Sequence, residues 1–255
     1  MTACANDYTT VYDTQNYRKG LIPVVSRSLG SWRLSIDRQA YQVSELAERY
    51  DDAAMEWQNT LNRLGVNRAY SSLAVQVLAQ LDRSEDSAPI RLLECGAGTA
   101  EFSRAMVLAS DHEFRISAVD ISSAMKNQAV HTFEKSGLSL DYQVADIRDL
   151  PFADQSQDVV IATHVLEHLA DPDRALLEIH RVLKPGGLVF LCCTKQSLSG
   201  RWIQMKWRTH CVTPATVRQW LDHGMFEAIR FLPINRQSRL RNFSVALTAN
   251  KLSAV

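Results

Sequence analysis

Leu92-Leu93-Glu94-Cys95-Gly96-Ala97-Gly98-Thr99-Ala100 is the stretch that decides the fold. An apolar run enters a glycine-rich turn, and a helical pattern follows. Gly96 and Gly98 permit a tight backbone and close approach by a ligand, which a side chain would obstruct. A Gly-x-Gly pair alone carries little. A dinucleotide fold asks for a third glycine at position 101, where Glu101 stands. An acidic residue near a helix N-terminus also repels a pyrophosphate. The turn therefore points away from a phosphate-led ligand.

Outward from this turn, short apolar runs alternate with helical stretches. The runs are Ile90–Cys95, Ile116–Val119, Tyr142–Ala145, Val159–Ala162 and Leu188–Cys193. Continuous apolar runs suit strands covered on both faces, as in a parallel sheet. Their alternation with helices predicts βαβ units. The helix before the last run has Asp171 as N-cap, Pro172 at its first position and Pro185-Gly186-Gly187 as its stop. Thr213-Pro214 opens a further helix that Gly224 closes. The candidates Ala228–Leu232 and Phe243–Thr248 follow without a helix between them, so they predict an antiparallel pair. The expected fold is α/β: a Rossmann-like, seven-stranded, mostly parallel sheet with an antiparallel last strand and a helical N-terminal extension.

Acidic residues close the next two strands. Asp120 stands 24 residues after Gly96 (120 − 96), where a carboxylate can accept both hydroxyls of a ribose. Asp146 follows the third run, placed to accept from an adenine amino group. Ligands of such sheets bind outside the carboxyl ends of the strands. Three successive strand ends thus converge on one adenosine-shaped site.

Residues 1–85 read as an N-terminal arm and helices, and 86–255 as the main domain. Residues 1–40 are weakly periodic and read as an arm. Leu46, Tyr50, Ala53, Trp57, Leu61 and Leu64 share one helical face, which Gly65 interrupts. Tyr70, Leu73, Val77, Leu78 and Leu81 mark a second helix, ended by polar residues Arg83–Ser87. The large side chains of this region suggest a lid over the cleft, with the arm controlling access for a second substrate.

Formal net charge is zero, which argues against a strongly charged partner such as nucleic acid. The zero hides an asymmetry. There are 18 basic and 26 acidic residues through Thr194, and 10 basic and 2 acidic after it. A basic segment of this kind suits an anionic substrate, a membrane surface or simply a solvated face. Cys4, Cys95, Cys192, Cys193 and Cys211 lack the spacing of a disulfide framework and suit a reducing, cytoplasmic setting. No secretory signal is read at the start, and no apolar run reaches about 18 residues, so no transmembrane segment is expected.

Residues Leu92–Thr194 resemble the class I S-adenosylmethionine-dependent methyltransferases, specifically the small-molecule branch with ubiquinone and menaquinone biosynthesis enzymes. The resemblance rests on Leu93–Thr99, Val119-Asp120-Ile121-Ser122, Ala145-Asp146-Ile147, Leu150-Pro151-Phe152, Asp158-Val159-Val160, His164–Leu169 and Arg181–Gly187, in that order. It implies that S-adenosyl-L-methionine is the cofactor. Glu94, Gly96, Ala97 and Gly98 would line its methionine half, Asp120 its ribose, and Asp146 with Ile147 its adenine. Ile121 and Met125 would wall the adenine ring, with ordinary core as the other reading of Met125. The family often has a glycine where Ala100 stands, and alanine is small enough for the helix to approach the strand.

The implied reaction is in-line methyl transfer to a small-molecule or lipid-like acceptor, with no metal and no nucleic acid, and with a homodimer left open. Such transfer depends chiefly on positioning, and a base is needed only where the acceptor sheds a proton. His164, just past the fourth strand, and His210 are the catalytic candidates; each also reads as a pocket-lining or structural histidine. His164-Val165-Leu166-Glu167-His168 matches an inverted zinc-protease string, but the surrounding framework already accounts for it. Trp202, Met205 and Trp207 read as acceptor-pocket walls or core. Two other functions stay open: a cofactor-binding scaffold without turnover, and a different reaction on the same fold.

Overall fold

The computed structural model describes residues 21–81 and 88–252. Residues 1–20 of the arm, with Cys4, and the polar stretch Arg83–Ser87 lie outside the described residues. The described residues begin with a hairpin, β1 (Leu21–Leu29) and β2 (Trp32–Gln39), joined at Gly30-Ser31. Helices α1 (Val43–Leu64) and α2 (Val66–Leu78) follow. The main domain then runs β3 (Ile90–Cys95), α3 (Glu101–Leu108), β4 (Phe114–Asp120), α4 (Ser123–Lys135), β5 (Asp141–Val144) and β6 (Gln157–Thr163). It continues through a 3-10 turn (Leu166–His168) to α5 (Pro172–Val182), β7 (Leu183–Thr194), α6 (Leu198–Trp207) and α7 (Pro214–His223). The end is β8 (Phe226–Leu232), α8 (Leu240–Phe243) and β9 (Ser244–Lys251).

Seven strands form one sheet in the order β5-β4-β3-β6-β7-β9-β8. Strands β3 to β7 pair in parallel, and β9 runs antiparallel between β7 and β8. This is the expected fold, including the direction of the last strand. The strand order reverses between β3 and β6, and Cys95 pairs with Val119 on one side and Ala162 on the other. All the glycine-turn and acidic positions therefore open at one edge, beside the crevice that such a reversal creates.

Alternation along the strands divides the core between two faces. Leu92, Ile161, Phe190 and Cys192 pack with α2, α3 and α4 on one face. Leu93, Val160, Leu191 and Cys193 pack with α5 and α7 on the other. The adjacent cysteines point to opposite faces, as their position in a strand requires.

Two local readings are corrected. Residues 21–39, read as part of an arm, form the β1–β2 hairpin; its exposed Trp32, Leu34 and Ile36 alternate along one face. Pro185-Gly186-Gly187 does not stop α5, which ends at Val182. It forms an irregularity inside β7, where Gln157 pairs with Leu183 but Val159 pairs with Leu188. Gly186 takes φ +71° there, open to glycine at no steric cost. Gly65, by contrast, ends α1 in the left-handed conformation (φ +66°), as its place after Leu64 suggests.

Candidate functional site

A cleft of about 730 Å³ opens at the carboxyl ends of β3, β4, β5 and β6. Two glycines shape its floor. Gly96 has φ +60°, and a Cβ there would collide with the Val165 side chain. Gly98 has φ +50°, and its open side faces Trp57, whose Nε1 lies 3.8 Å from where a Cβ would stand. Ala100 also takes a left-handed conformation, φ +55°, as the residue before α3. Size is therefore not the only demand at that position. The backbone itself favours glycine, and alanine is held there at a cost of about 1–2 kcal/mol.

The acids are fixed by backbone amides. Asp120 accepts from Gly98 N (2.8 Å) and Ser122 N (3.0 Å), so one carboxylate ties the glycine turn to the start of α4. Burial raises its pKa above the usual carboxylate value, against the lowering effect of these amides. Glu94 is buried and accepts from Ser103 N (2.9 Å) and Ser103 Oγ (2.5 Å). Burial pushes its carboxyl up to about 7 despite these bonds. Tyr142 donates its hydroxyl to Gly98 O at 2.8 Å, a brace from β5 that no sequence pattern marked.

Glu94, Gly96, Ala97, Gly98, Asp120, Ile121, Asp146 and Ile147 all line this cleft. Met125 does not. It is buried beside the glycine turn, with Sδ 4.0 Å from the position of a Gly98 Cβ. Asp146 arrives already engaged, because the Arg148 guanidinium holds it through Nη2 at 2.6 Å and Nε at 3.0 Å. That bond keeps the Asp146 carboxyl below its usual range.

The far wall comes from α1 and α6. Tyr50 stacks on Trp207 with ring centroids 4.9 Å apart and planes 13° apart. Trp57 meets both rings edge-on, at 5.6 and 5.9 Å. Offset and edge-on contacts of this kind suit the ring quadrupoles. Asp51 fastens α1 to the cofactor side: its Oδ1 accepts from Ser122 Oγ (2.5 Å) and Ala124 N (3.1 Å). Trp202 and Lys206 also line the cleft, whereas Met205 is exposed and does not.

Beyond β6 lies a buried histidine–carboxylate network. Glu167, 0% exposed, accepts from Thr194 N (2.8 Å) and Thr194 Oγ1 (2.7 Å), and its Oε1 lies 3.1 Å from His164 Nδ1. Burial would raise the Glu167 carboxyl, but the histidines beside it hold it low. Burial likewise opposes a charge on His164; Cys192 and Glu167 outweigh it and raise the imidazole to about 10. His164 Nε2 faces Ser244 Oγ at 3.3 Å, so both ring nitrogens are engaged. His164 also carries φ +56°, a strained value for a residue with a Cβ.

His168 is different. Burial lowers it to about 4, so it is neutral near pH 7, and its Nε2 lies 3.0 Å from Tyr50 Oη. His164 and His168 both line the cleft. His210 does not; it is 1% exposed, held by burial at about 3, and its amide donates to Glu167 O at 2.8 Å. The string read as a decoy thus contributes two cleft histidines and the carboxylate between them.

Comparison with known proteins decides the family. A family profile described as "Methyltransferase domain" matches residues 93–191, from β3 to within β7. The ubiquinone/menaquinone biosynthesis C-methyltransferase UbiE of Bartonella tribocorum is 26% identical over 208 residues, covering 78% of this chain and 76% of that protein. The ubiquinone biosynthesis O-methyltransferase of Cereibacter sphaeroides is 29% identical over 202 residues, covering 72% and 74%. Residues 93–191 are a methyltransferase domain, and this domain is of the class I S-adenosylmethionine-dependent type. This methyltransferase also matches the crystal structure of the 4+2 cyclase SpnF, with a TM-score of 0.67 at 20% identity over 84% of this chain and 98% of that one. At that identity the likeness shows the fold alone. In the methyltransferase family the cofactor is S-adenosylmethionine, and the strand-end cleft of this chain fits it. The cleft offers a glycine turn, strand-end carboxylates and aromatic rings in its lining.

Proposed function

We propose that the enzyme transfers the methyl group of S-adenosylmethionine to a small, largely apolar acceptor of the quinone-precursor or lipid-like type. The observation that carries this reading is the composition of the two cleft walls. Polar groups gather at the strand ends, and the opposite wall is Tyr50, Trp57 and Trp207 with Leu46, Leu61 and Phe243. A flat, apolar acceptor matches such a wall, and its relatives named for ubiquinone and menaquinone biosynthesis support the same class.

Glu94, Gly96, Ala97 and Gly98 hold the methionine half in this reading, Asp120 the ribose, and Asp146 with Ile121 and Ile147 the adenine. Met125 supports the turn from beside it. The bound cofactor supplies an activated methyl on a positive sulfur. The chain's own residues position the acceptor and exclude water, and the Tyr50–Trp57–Trp207 wall serves the acceptor. His164, charged and with both nitrogens engaged, fixes the end of β6 through Glu167. His168 is the neutral imidazole at the cleft, and it takes a proton where the acceptor must lose one. His210 supports Glu167 from within the core.

The unpaired buried cysteines support a reducing compartment, and we place the enzyme in the cytoplasm. Among the described residues no helix is long and apolar enough to cross a membrane.

The test is S-adenosylhomocysteine release with a panel of hydroquinones, catechols, fatty acids and small amines. Turnover confined to the flat apolar members is expected. Turnover confined to the amines, or cofactor binding without turnover on any extract fraction, overturns the reading.

A further inference from the structure

Two elements bordering the cleft carry most of what is unusual on the surface. Among the described residues sixteen large hydrophobic side chains are exposed, and seven of them sit on β1–β2 and α6. On the hairpin, Trp32 (79% exposed), Leu34 and Ile36 alternate along one face, with Leu29 opposite Trp32 and Arg27 opposite Leu34. On α6, Leu198 (89% exposed), Trp202 and Met205 follow helical spacing, with Arg201 and Lys206 exposed beside them. Lys206 Nζ lies 5.7 Å from the Trp202 ring centroid and 5.3 Å from that of Trp207, so its stem runs along the apolar surface. The two elements adjoin, because Arg38 Nη1 donates to Met205 O at 2.7 Å.

Charge follows the same two segments. Residues 21–39 and 195–208 together hold seven basic residues and one acidic residue, in a chain whose net charge is zero. Apolar side chains with tryptophan near a protruding turn, interleaved with basic ones, match the interfacial zone of a bilayer. Basic residues add attraction to anionic headgroups. Gln39 at the end of β2, and Trp202 and Lys206 of α6, also line the cleft, so the patch runs up to its mouth.

We infer that the β1–β2 hairpin and α6 form a surface that docks this enzyme on anionic phospholipid bilayers, with the cleft mouth beside the lipid. The inference rests on exposed side chains and charge, and it holds whichever acceptor the cleft takes.

The experiment is co-sedimentation of the full chain with vesicles of equal parts phosphatidylglycerol and phosphatidylcholine, and with phosphatidylcholine alone. Binding to the anionic vesicles is expected, falling as salt is raised and weak on the neutral ones. Trp32→Ser with Leu34→Ser should weaken binding about tenfold through lost apolar insertion. Arg27→Glu with Arg201→Glu should do the same through charge. Both pairs should leave the thermal midpoint and cofactor affinity unchanged. Absence of vesicle binding at low salt overturns the inference. So does binding that neither pair alters. A dimer in sedimentation velocity that Trp32→Ser dissolves, with no vesicle binding, assigns the patch to a second copy of the chain and overturns it equally.

Discussion

The two walls of the cleft are built on different principles. The cofactor wall is made of strand ends and the turns that follow them. Its polar side chains are held by near neighbours: Asp120 by Gly98 and Ser122, Glu94 by Ser103, Asp146 by Arg148. The opposite wall is made of side chains from α1 and α6, helices 134 residues apart at their nearest ends (198 − 64), and it is held by ring contacts and by Asp51. The first wall is a preorganised polar cradle. The second is a set of rings on separate helices whose arrangement depends on the packing of the whole domain. Substitutions in the first should alter cofactor binding, and substitutions in the second should alter the acceptor.

The largest effect is expected at Asp120. If the carboxylate receives two ribose hydroxyls as proposed, each charge-assisted bond contributing about 1.5–3 kcal/mol, Asp120→Ala should weaken S-adenosylmethionine binding tenfold or more. Calorimetry with unchanged affinity in a folded variant would remove Asp120 from the site.

Glu94 probes the same wall through pH. Burial lifts its folded pKa to about 7, above the ordinary glutamate value of 4.5, so the folded state keeps the proton longer. Stability is full below 4.5 and is lost as pH rises through about 7, by up to about 3 kcal/mol for a buried group. Glu94→Gln cannot ionise, so wild type should lose stability relative to this variant as pH rises through that window, over the opposite background of the buried histidines. Midpoint-against-pH curves for the two proteins that run parallel would contradict the buried, proton-holding Glu94.

For the second wall, Trp207→Ala removes the stack on Tyr50, worth about 0.5–1.5 kcal/mol beyond burial. Acceptor kcat/KM should fall about fivefold while cofactor affinity changes less than twofold. Equal losses in both would show that the two walls are not separate. The smallest effect is expected at Ala100, whose φ is +55°. Ala100→Gly relieves strain of about 1–2 kcal/mol but adds entropy to the unfolded chain. The net gain should be about 0.5–1 kcal/mol, a rise of about 1–3 °C in Tm by calorimetry. A fall in Tm would refute the strain at this turn.

The lid expected from the sequence divides in the same way. Tyr50 and Trp57 of α1 bring rings to the cleft, whereas in the strand region before it Leu29, Trp32, Leu34 and Ile36 are exposed. Much of the strand-end lining of the cleft was legible because each part lies within a few residues of a strand end. Met125 does not line the cleft, and helical spacing cannot say whether a buried side chain faces a cavity. His210 also lies off the cleft, and an isolated histidine before a helix carries no sign of depth. Glu167 was set aside with a protease-like string, although an acid between two histidines at a strand end was the visible signal for the network it holds.

The sequence by itself determined the parallel sheet, the glycine turn, the acidic strand ends and the antiparallel final strand. These follow from local patterns of apolar runs, glycines and caps, whose physics is complete within one βα unit. Tertiary structure alone decided that Tyr50 would meet Trp207, that burial would lower the His168 imidazole while its neighbours raise that of His164, and that Arg148 would occupy Asp146. Each depends on burial or on contacts between side chains whose partner the local pattern does not name. Desolvation and ring packing are properties of the assembled domain, and they come into being only when distant segments exclude water together.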